Sequence, residues 1–144
     1  AAAAAGINEK IFINTKGQIS EGTVCNVFFV RKNMIYTPQL SCGLLPGILR
    51  EYIMERFQVT ETIIYPDELM YYEECFVTNS LMGVMPVRQL GNICFPHRAK
   101  ADEVREVYEK RKKCPCEGHF FLPEFVSKKV TKKKRLTFKG EIFV

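Results

Sequence analysis

The stretch "ISEGTVCNVFFV", residues 19–30, decides the predicted fold. Its last four residues, Val27 to Val30, are an uninterrupted apolar run that predicts a strand buried on both faces. One carboxylate, Glu21, precedes this strand and ends a shorter strand-like stretch. An acid on a strand is in most proteins a solvated or ion-paired side chain. Any further role for Glu21 therefore depends on what neighbouring segments bring to the same place.

The residues on either side of Glu21 predict two hairpins. Residues 10–22 have the pattern of a strand, a turn at Thr15–Gly17 and a second strand, with the glycine where such turns need positive φ. Residues 26–38 repeat the plan, with a polar turn at Arg31–Asn33 and Pro38 at the end. The first part of the chain is therefore predicted to be rich in strands.

Helices are predicted between the later strands. Leu49, Ile53 and Phe57 recur at i, i+4 and i+8, which is one face of an amphipathic helix, and the glycines before them place its start near Gly47. Further on, "VTETIIY", "CFVTN" and "VMPVRQLGNICF" predict strands, "PDELMYYEE" a short helix, and residues 98–113 a charged helix. The fold class predicted from these patterns is mixed α/β.

Composition narrows the class of protein. A chain of 144 residues with 47% hydrophobic residues suits one globular domain. No apolar run reaches the roughly 20 residues that cross a bilayer, and no secretory signal pattern is present, so we expect a cytoplasmic protein without a membrane partner. The six cysteines are expected to be reduced. The "AAAAAG" start supports no inference.

The C-terminal segment differs from the body, so we expect a boundary near Lys113, with a body of residues 1–113 and a basic tail of residues 114–144 that contains cysteines and phenylalanines. The run "KKVTKKKR" suggests a non-enzymatic basic module that binds nucleic acid or acidic lipid, but charge runs are mostly solvated. Cys114, Cys116 and His119 suggest a zinc site, although no second cysteine pair follows. We expect neither a metal site nor a nucleic-acid partner.

Two turns are candidates for anion binding. The first turn of the helix after Gly47 exposes the N–H groups of Ile48 and Leu49, which together with the helix dipole favour an anion. A second turn, with Thr78, Asn79 and Ser80, offers hydroxyl and amide donors. Spacing alone does not separate an anion site from a plain helix cap.

Three blocks of sequence carry a family resemblance: "EGTVCNVFFVRKNMIYTP", "CGLLPGILREYI" and "ECFVTNSLMGVMPV". In this order and spacing they resemble the class-IV family of pyridoxal-phosphate enzymes, which includes branched-chain and D-amino-acid aminotransferases and 4-amino-4-deoxychorismate lyase. The resemblance covers about residues 7–112, and within it "CGLLPGI" and "NSLMGVMPV" look most like the lyase branch. It implies the β-rich, pseudo-barrel large domain of the D-amino-acid aminotransferase-like fold.

The resemblance implies a cofactor, pyridoxal 5'-phosphate, and a role for each matching residue. Glu21 would face the pyridine nitrogen and keep its proton on, so that the ring accepts electrons. The remaining cofactor-binding residues would be Leu45 on the ring face and Gly47, Ile48, Leu49, Asn79 and Ser80 around the phosphate. Leu81 and Met82 would line the substrate side, with core packing as the alternative for both.

The sequence departs from the family at two points. The lysine that holds the cofactor lies in the family well before the glutamate, and Lys10 and Lys16 are too close to Glu21 to match it. We therefore expect this chain to match only the C-terminal part of such an enzyme and to be inactive alone. Leu49 stands where aminotransferases commonly have a hydroxyl residue, so one side-chain donor to the phosphate is lost.

The function implied by the resemblance is that of a lyase in folate biosynthesis. It would convert 4-amino-4-deoxychorismate to 4-aminobenzoate and pyruvate. The alternative is a class-IV aminotransferase that acts on branched-chain or D-amino acids. Either enzyme would take a small-molecule amino substrate and form a homodimer in its full-length form.

Overall fold

The computed structural model describes residues 7–112 and 140–142. Two short 3-10 helices, Leu40–Cys42 and Pro66–Tyr71, lie in the connections. The strands and α-helices in chain order are β1 (Ile7–Glu9), β2 (Ile11–Ile13), β3 (Ile19–Gly22), β4 (Asn26–Arg31), β5 (Met34–Pro38), α1 (Ile48–Arg56), β6 (Val59–Thr62), β7 (Glu74–Asn79), β8 (Gly83–Leu90), β9 (Ile93–Cys94), α2 (Ala99–Lys112) and β10 (Gly140–Ile142).

One large mixed sheet organises the fold. Its strand order is β1-β10-β8-β7-β4-β5-β6, with β9 paired to β8, while β2 and β3 form a separate antiparallel hairpin. Strand β4 pairs antiparallel with β5 and β7, whereas β5 and β6 are parallel. The parallel pair is joined through α1, because parallel neighbours need a crossover connection. The predicted mixed α/β class is confirmed.

Strand β4 is buried on both faces, as its apolar run predicts. Val27 and Phe29 belong to one core, which also contains Ile11, Ile13 and Ile19 of the β2–β3 hairpin. On the opposite face Phe28 and Val30 belong to a second core, where the Phe28 ring stacks on Phe76 with centroids 5.0 Å apart. Strand β4 therefore contributes side chains to both hydrophobic cores, which lie on opposite faces of the sheet.

The two α-helices cover the second core. Helix α1 begins after Gly47 and buries Leu49 and Ile53, as the predicted helical face requires. Helix α2 buries Ala101 and Val104 against the same sheet face. Glu106 and Lys110, one turn apart on α2, form an ion pair at 3.2 Å. None of the helices in the described ranges is long and apolar enough to cross a membrane.

The described part of the C-terminal segment joins the main sheet. Strand β10 pairs with both β1 and β8. The domain boundary near Lys113 stays a prediction, and Cys114, Cys116 and His119, the residues of the zinc alternative, lie outside the described residues. The cysteines that the structure does describe are all free thiols: Cys25, Cys42, Cys75 and Cys94.

Candidate functional site

Glu21 lies in β3 and is tied to the loop that leads into α1. Its side chain is half-buried, and its Oε2 atom accepts a 2.8 Å hydrogen bond from the backbone N–H of Leu45. A carboxylate has about four lone-pair positions, and this bond takes one of them. The carboxylate is therefore held beside the loop of residues 43–47 in a fixed orientation.

Asn26, at the start of β4, fixes the same loop from the other side. Its Nδ2 donates to the carbonyl oxygen of Leu45 over 2.8 Å, and its Oδ1 accepts from the N–H of Gly47 over 3.2 Å. Asn26 is only 6% exposed, so its amide is buried and both of its ends have backbone partners. Leu45 is consequently held through its N–H by Glu21 and through its carbonyl by Asn26. Its own side chain, the predicted ring-facing residue, is 39% exposed.

Gly47 is required by the close approach of Asn26. A Cβ built on Gly47 would lie 2.6 Å from Oδ1 of Asn26, which is closer than two such atoms pack. Gly47 has extended backbone angles and caps α1 without a side-chain hydrogen bond. The backbone at Gly47 is therefore packed directly against the Asn26 side chain, and position 47 has no room for a larger residue.

The start of α1 carries the two backbone N–H groups named in the anion-binding prediction. N–H groups in the first turn of a helix have no intrahelical partner, and Ile48 and Leu49 are the first two residues of α1. The Leu49 side chain, in contrast, is only 3% exposed and packs in the second core. Its contribution to an anion would come from the backbone alone.

The third element is the turn of residues 80–82 between β7 and β8. Oδ1 of Asn79 accepts from the N–H groups of Leu81 and Met82 at 3.0 and 2.6 Å, while its Nδ2 donates to the carbonyl of Val24 over 3.2 Å. The Asn79 side chain thus shapes the turn and ties it to the β3–β4 connection, which follows Glu21. Ser80 is half-buried at the start of the turn.

The two predicted substrate-lining residues differ in their surroundings. Leu81 is 77% exposed, so the alternative that it packs in a core is excluded. Met82 is partly buried and packs against the first core. Both substrate roles stay predictions.

A buried hydroxyl lies beside this arrangement. Thr78 is 1% exposed, pairs in register with Asn26 across β7 and β4, and its Oγ1 has no hydrogen-bond partner in the described part of the chain. Buried polar atoms without a partner are rare in folded proteins. The sequence names Thr78 as a candidate anion donor but assigns no role to Asn26, although both residues lie inside the matching blocks. The Thr78 hydroxyl is thus a buried polar atom on the strand neighbour of Asn26, the residue that accepts from the Gly47 N–H.

The cysteines near these segments are packing residues rather than nucleophiles. Burial raises the pKa of the Cys75 thiol well above its ordinary value, and the neighbouring Cys25 raises it further. Burial also raises the pKa of Cys42, against smaller opposing effects from the Gln39 backbone and Lys16. A nucleophilic cysteine needs a lowered pKa, so neither thiol suits that role.

Comparison with known families tests the resemblance. Residues 1–90, more than half of the chain, match the family model described as amino-transferase class IV. The chain belongs to the amino-transferase class IV family. Members of this family are pyridoxal-phosphate-dependent enzymes. The predicted family is confirmed.

Relatives of this class IV chain include both kinds of enzyme that the resemblance named. It is 36% identical over 90 residues to a Thermotoga maritima protein named "Probable branched-chain-amino-acid aminotransferase", covering 59% of this chain and 33% of that protein. It is 32% identical over 90 residues to the aminodeoxychorismate lyase of Bacillus subtilis, covering 59% and 31%. The chain spans about a third of the length of these curated relatives.

A solved structure supports the fold of this class IV chain. The branched-chain amino acid aminotransferase of Thermobaculum terrenum, solved in its PLP form, superposes with a TM-score of 0.63 and 28% identity. The match covers 76% of this chain and 40% of that one. The match therefore extends beyond the three quoted blocks into most of the described fold.

Proposed function

We propose that this chain forms the ring- and phosphate-binding part of a pyridoxal-phosphate-dependent enzyme. The observation that carries the proposal is the link between Glu21 and the start of α1 through the loop of residues 43–47. Leu45 accepts from Asn26 and donates to Glu21, and Gly47 donates to Asn26. An acid and a row of helix N–H groups are thereby held at a fixed separation, which suits a rigid ligand with a basic nitrogen at one place and a phosphate at another.

The described residues fit this cofactor in three respects. The helix start supplies backbone donors, the N–H groups of Ile48 and Leu49. The unpartnered hydroxyl of Thr78 is a buried donor on the strand that leads into the turn with Ser80. Glu21 supplies a negative charge next to the loop. Bound pyridoxal phosphate would supply an electron sink for the electrons released at the amino carbon of the substrate.

In this proposal Glu21 has an electrostatic task. A carboxylate close to a ring nitrogen favours the protonated form of that nitrogen. The hydrogen bond from Leu45 keeps the carboxylate at one place, so the charge does not have to be reorganised for each turnover. The half-buried position of Glu21 strengthens the interaction, because the effective dielectric constant is lower there than in water.

The phosphate end would be held by α1 and the turn after β7. The N–H groups of Ile48 and Leu49 and the positive end of the helix dipole favour a doubly charged anion. Ser80 would complete the donors from the turn after β7, in which the N–H groups of Leu81 and Met82 donate to Oδ1 of Asn79. Because the Leu49 side chain is committed to the core, the site relies on backbone donors from α1.

For the reaction we propose the lyase activity, with removal of a proton and departure of the enolpyruvyl group as pyruvate, which makes the ring of 4-aminobenzoate aromatic. The resemblance of residues 42–48 and 79–87 to the lyase branch and the relative in Bacillus subtilis support it. The second candidate is a branched-chain aminotransferase, which the relative in Thermotoga maritima supports. Binding of an amino substrate, a homodimer and a cytoplasmic location belong to the same proposal.

Two measurements test the proposal. Calorimetric titration of this chain should give tighter binding of pyridoxal 5'-phosphate than of pyridoxal, which lacks the phosphate, and equal affinities would contradict the phosphate site. For the reaction, the chain should be tested together with whatever its reading frame encodes before Ala1. Fluorescence detects 4-aminobenzoate from 4-amino-4-deoxychorismate, and a coupled assay detects glutamate from a branched-chain amino acid and 2-oxoglutarate. Formation of glutamate without formation of 4-aminobenzoate would contradict the lyase proposal and favour the aminotransferase.

A further inference from the structure

Helix α2 contacts both elements that the proposed function assigns to the phosphate. It spans Ala99–Lys112, beyond the residues 1–90 that match the family model. The residue that makes both contacts is Tyr108, which is partly buried and packs against the second core. Tyr108 therefore connects helix α2 to both of these elements.

The first contact is with the turn between β7 and β8. Gly83 follows this turn, has a φ of +75° and is the first residue of β8. A Cβ built on Gly83 would lie 3.5 Å from Cε1 of Tyr108 and 3.6 Å from Oε1 of Glu109. The Tyr108 ring therefore lies directly against the backbone where the turn returns to the sheet.

The second contact is with α1. The rings of Tyr108 and Tyr52 meet edge to face, with centroids 5.8 Å apart and planes at 63°. Tyr52 is only 7% exposed, and the guanidinium of Arg111 lies 4.5 Å from the centroid of its ring. Tyr52 is in the second turn of α1, so displacement of its ring would be transmitted to the helix start by a short, rigid segment.

Helix α2 is itself anchored to the sheet. The buried carboxylate of Glu74 on β7 accepts from the backbone N–H of Lys100 at 3.0 Å and of Ala101 at 3.2 Å. Val104 is fully buried one turn before Tyr108. A helix fixed at its N-terminus and along its middle holds the Tyr108 ring at a defined place.

We propose that Tyr108 is a positioning residue that sets the separation between the start of α1 and the turn of residues 80–82, so that both sets of donors reach one phosphate. This inference rests on the proposed function, since it concerns the same site. Donors on two elements act together only when they are held within about half an ångström of the productive geometry. The ring is a spacer between those elements and does not touch the ligand.

The test compares affinities for pyridoxal 5'-phosphate and pyridoxal in variants of this chain. Tyr108→Leu removes the ring but keeps an apolar side chain, Tyr108→Phe keeps the ring, and Val107→Ala changes the exposed neighbour on the same helix. We expect Tyr108→Leu to lower the affinity for the phosphate form by about tenfold, with little change for pyridoxal. Tyr108→Phe and Val107→Ala should preserve the preference of the parent chain.

Each outcome bears on one of the two proposals. A parent chain without preference for the phosphate form contradicts the proposed function. A parent with that preference and a Tyr108→Leu variant that keeps it, or that weakens both ligands equally, overturns the positioning role. If Tyr108→Phe loses as much affinity for pyridoxal 5'-phosphate as Tyr108→Leu does, the argument that the ring acts as the spacer is overturned. Circular dichroism confirms that each variant is folded, and if Tyr108→Leu is not, Tyr108→Met takes its place in the same comparison.

Discussion

The N–H of Leu45 donates a 2.8 Å hydrogen bond to Oε2 of Glu21, across 24 residues of sequence. This bond joins the acid of one strand to the loop that begins α1. Asn26 closes the arrangement by binding the Leu45 carbonyl and the Gly47 N–H. Hydrogen bonds therefore hold Glu21, the loop of residues 43–47 and the start of α1 together. Suitable substitutions separate the effect of these bonds on stability from the effect of the Glu21 charge on the reaction.

The charge of Glu21 and its hydrogen bond to the loop are separated by two substitutions. Glu21→Gln keeps an acceptor for the Leu45 N–H but removes the charge, whereas Glu21→Ala removes both. In the enzyme extended by its preceding reading frame, we expect both variants to bind cofactor and to lose about 100-fold or more in kcat, the cost of removing a preorganised electrostatic group. Steady-state kinetics measures the loss. Full activity of Glu21→Gln would contradict the electrostatic role.

Gly47 and Asn26 should be energetically coupled. Gly47→Ala places a Cβ against Oδ1 of Asn26, and we expect it to lower the free energy of unfolding by about 1–3 kcal/mol. In an Asn26→Ala background the obstructing atom is gone, so the same substitution should cost less by about 0.5 kcal/mol or more. Urea unfolding of the four proteins measures the cycle. Gly17→Ala is the control, because nothing lies within 4 Å of its Cβ and its cost comes from φ alone.

Arg50 depends on one of its two acid partners. Its guanidinium is 1% exposed and lies 2.6 Å from Glu61 on β6 but 3.4 Å from the neighbouring Glu51. Glu61→Ala should lower the free energy of unfolding by about 1.5–3 kcal/mol, since a charge-assisted bond to a buried group is lost. Glu51→Ala, as the matched control, should cost less than about 1 kcal/mol. If both substitutions lower the free energy of unfolding equally, the shorter Arg50–Glu61 contact stabilises the fold no more than the longer Arg50–Glu51 contact.

The thiols should differ sharply in reactivity. Cys94 is exposed, whereas Cys25, Cys42 and Cys75 are buried. We expect a thiol reagent at neutral pH to modify Cys94 in the native chain and the three buried cysteines only after unfolding, because reaction needs an accessible thiolate. Peptide mass spectrometry assigns the modified residues. Modification of Cys75 in the folded protein would contradict its described burial.

The raised pKa of Cys75 also predicts lower stability in alkali. Its pKa in the folded state lies well above the ordinary value of 9.0 because of burial and Cys25. Above that ordinary value the unfolded thiol ionises while the folded one keeps its proton, so the free energy of unfolding falls as pH rises. Urea unfolding at several pH values above 9 should show a smaller fall in Cys75→Ala than in the parent and no change in Cys94→Ala. An unchanged slope in Cys75→Ala would contradict the assignment.

The elements that follow from local sequence pattern are predicted correctly. The apolar run of β4 gives a strand buried on both faces, and the spacing of Leu49 and Ile53 gives the buried face of α1. Gly17 lies in the predicted turn with a φ of +78°. Such features depend on residues that are close together in the chain. The spacing of apolar residues and the presence of turn-forming residues can both be recognised in a single sequence.

Features that depend on distant partners could not be predicted. Asn26 looks like a polar strand end, but its partners lie 19 and 21 residues away. Glu74 binds the N-terminus of α2, 26 residues further on. Asn79 is different, because its bonds to Leu81 and Met82 are local. An asparagine two residues before a turn amide is a known turn-former, so this structural task was accessible from the sequence.

The two-sided burial of β4 limits how this protein can evolve. Consecutive side chains of the strand serve opposite cores, so a one-residue insertion or deletion would exchange the occupants of both at once. Length variation among descendants should therefore collect in the connecting loops, and substitutions in β4 should be tolerated only when volume is conserved on each side separately.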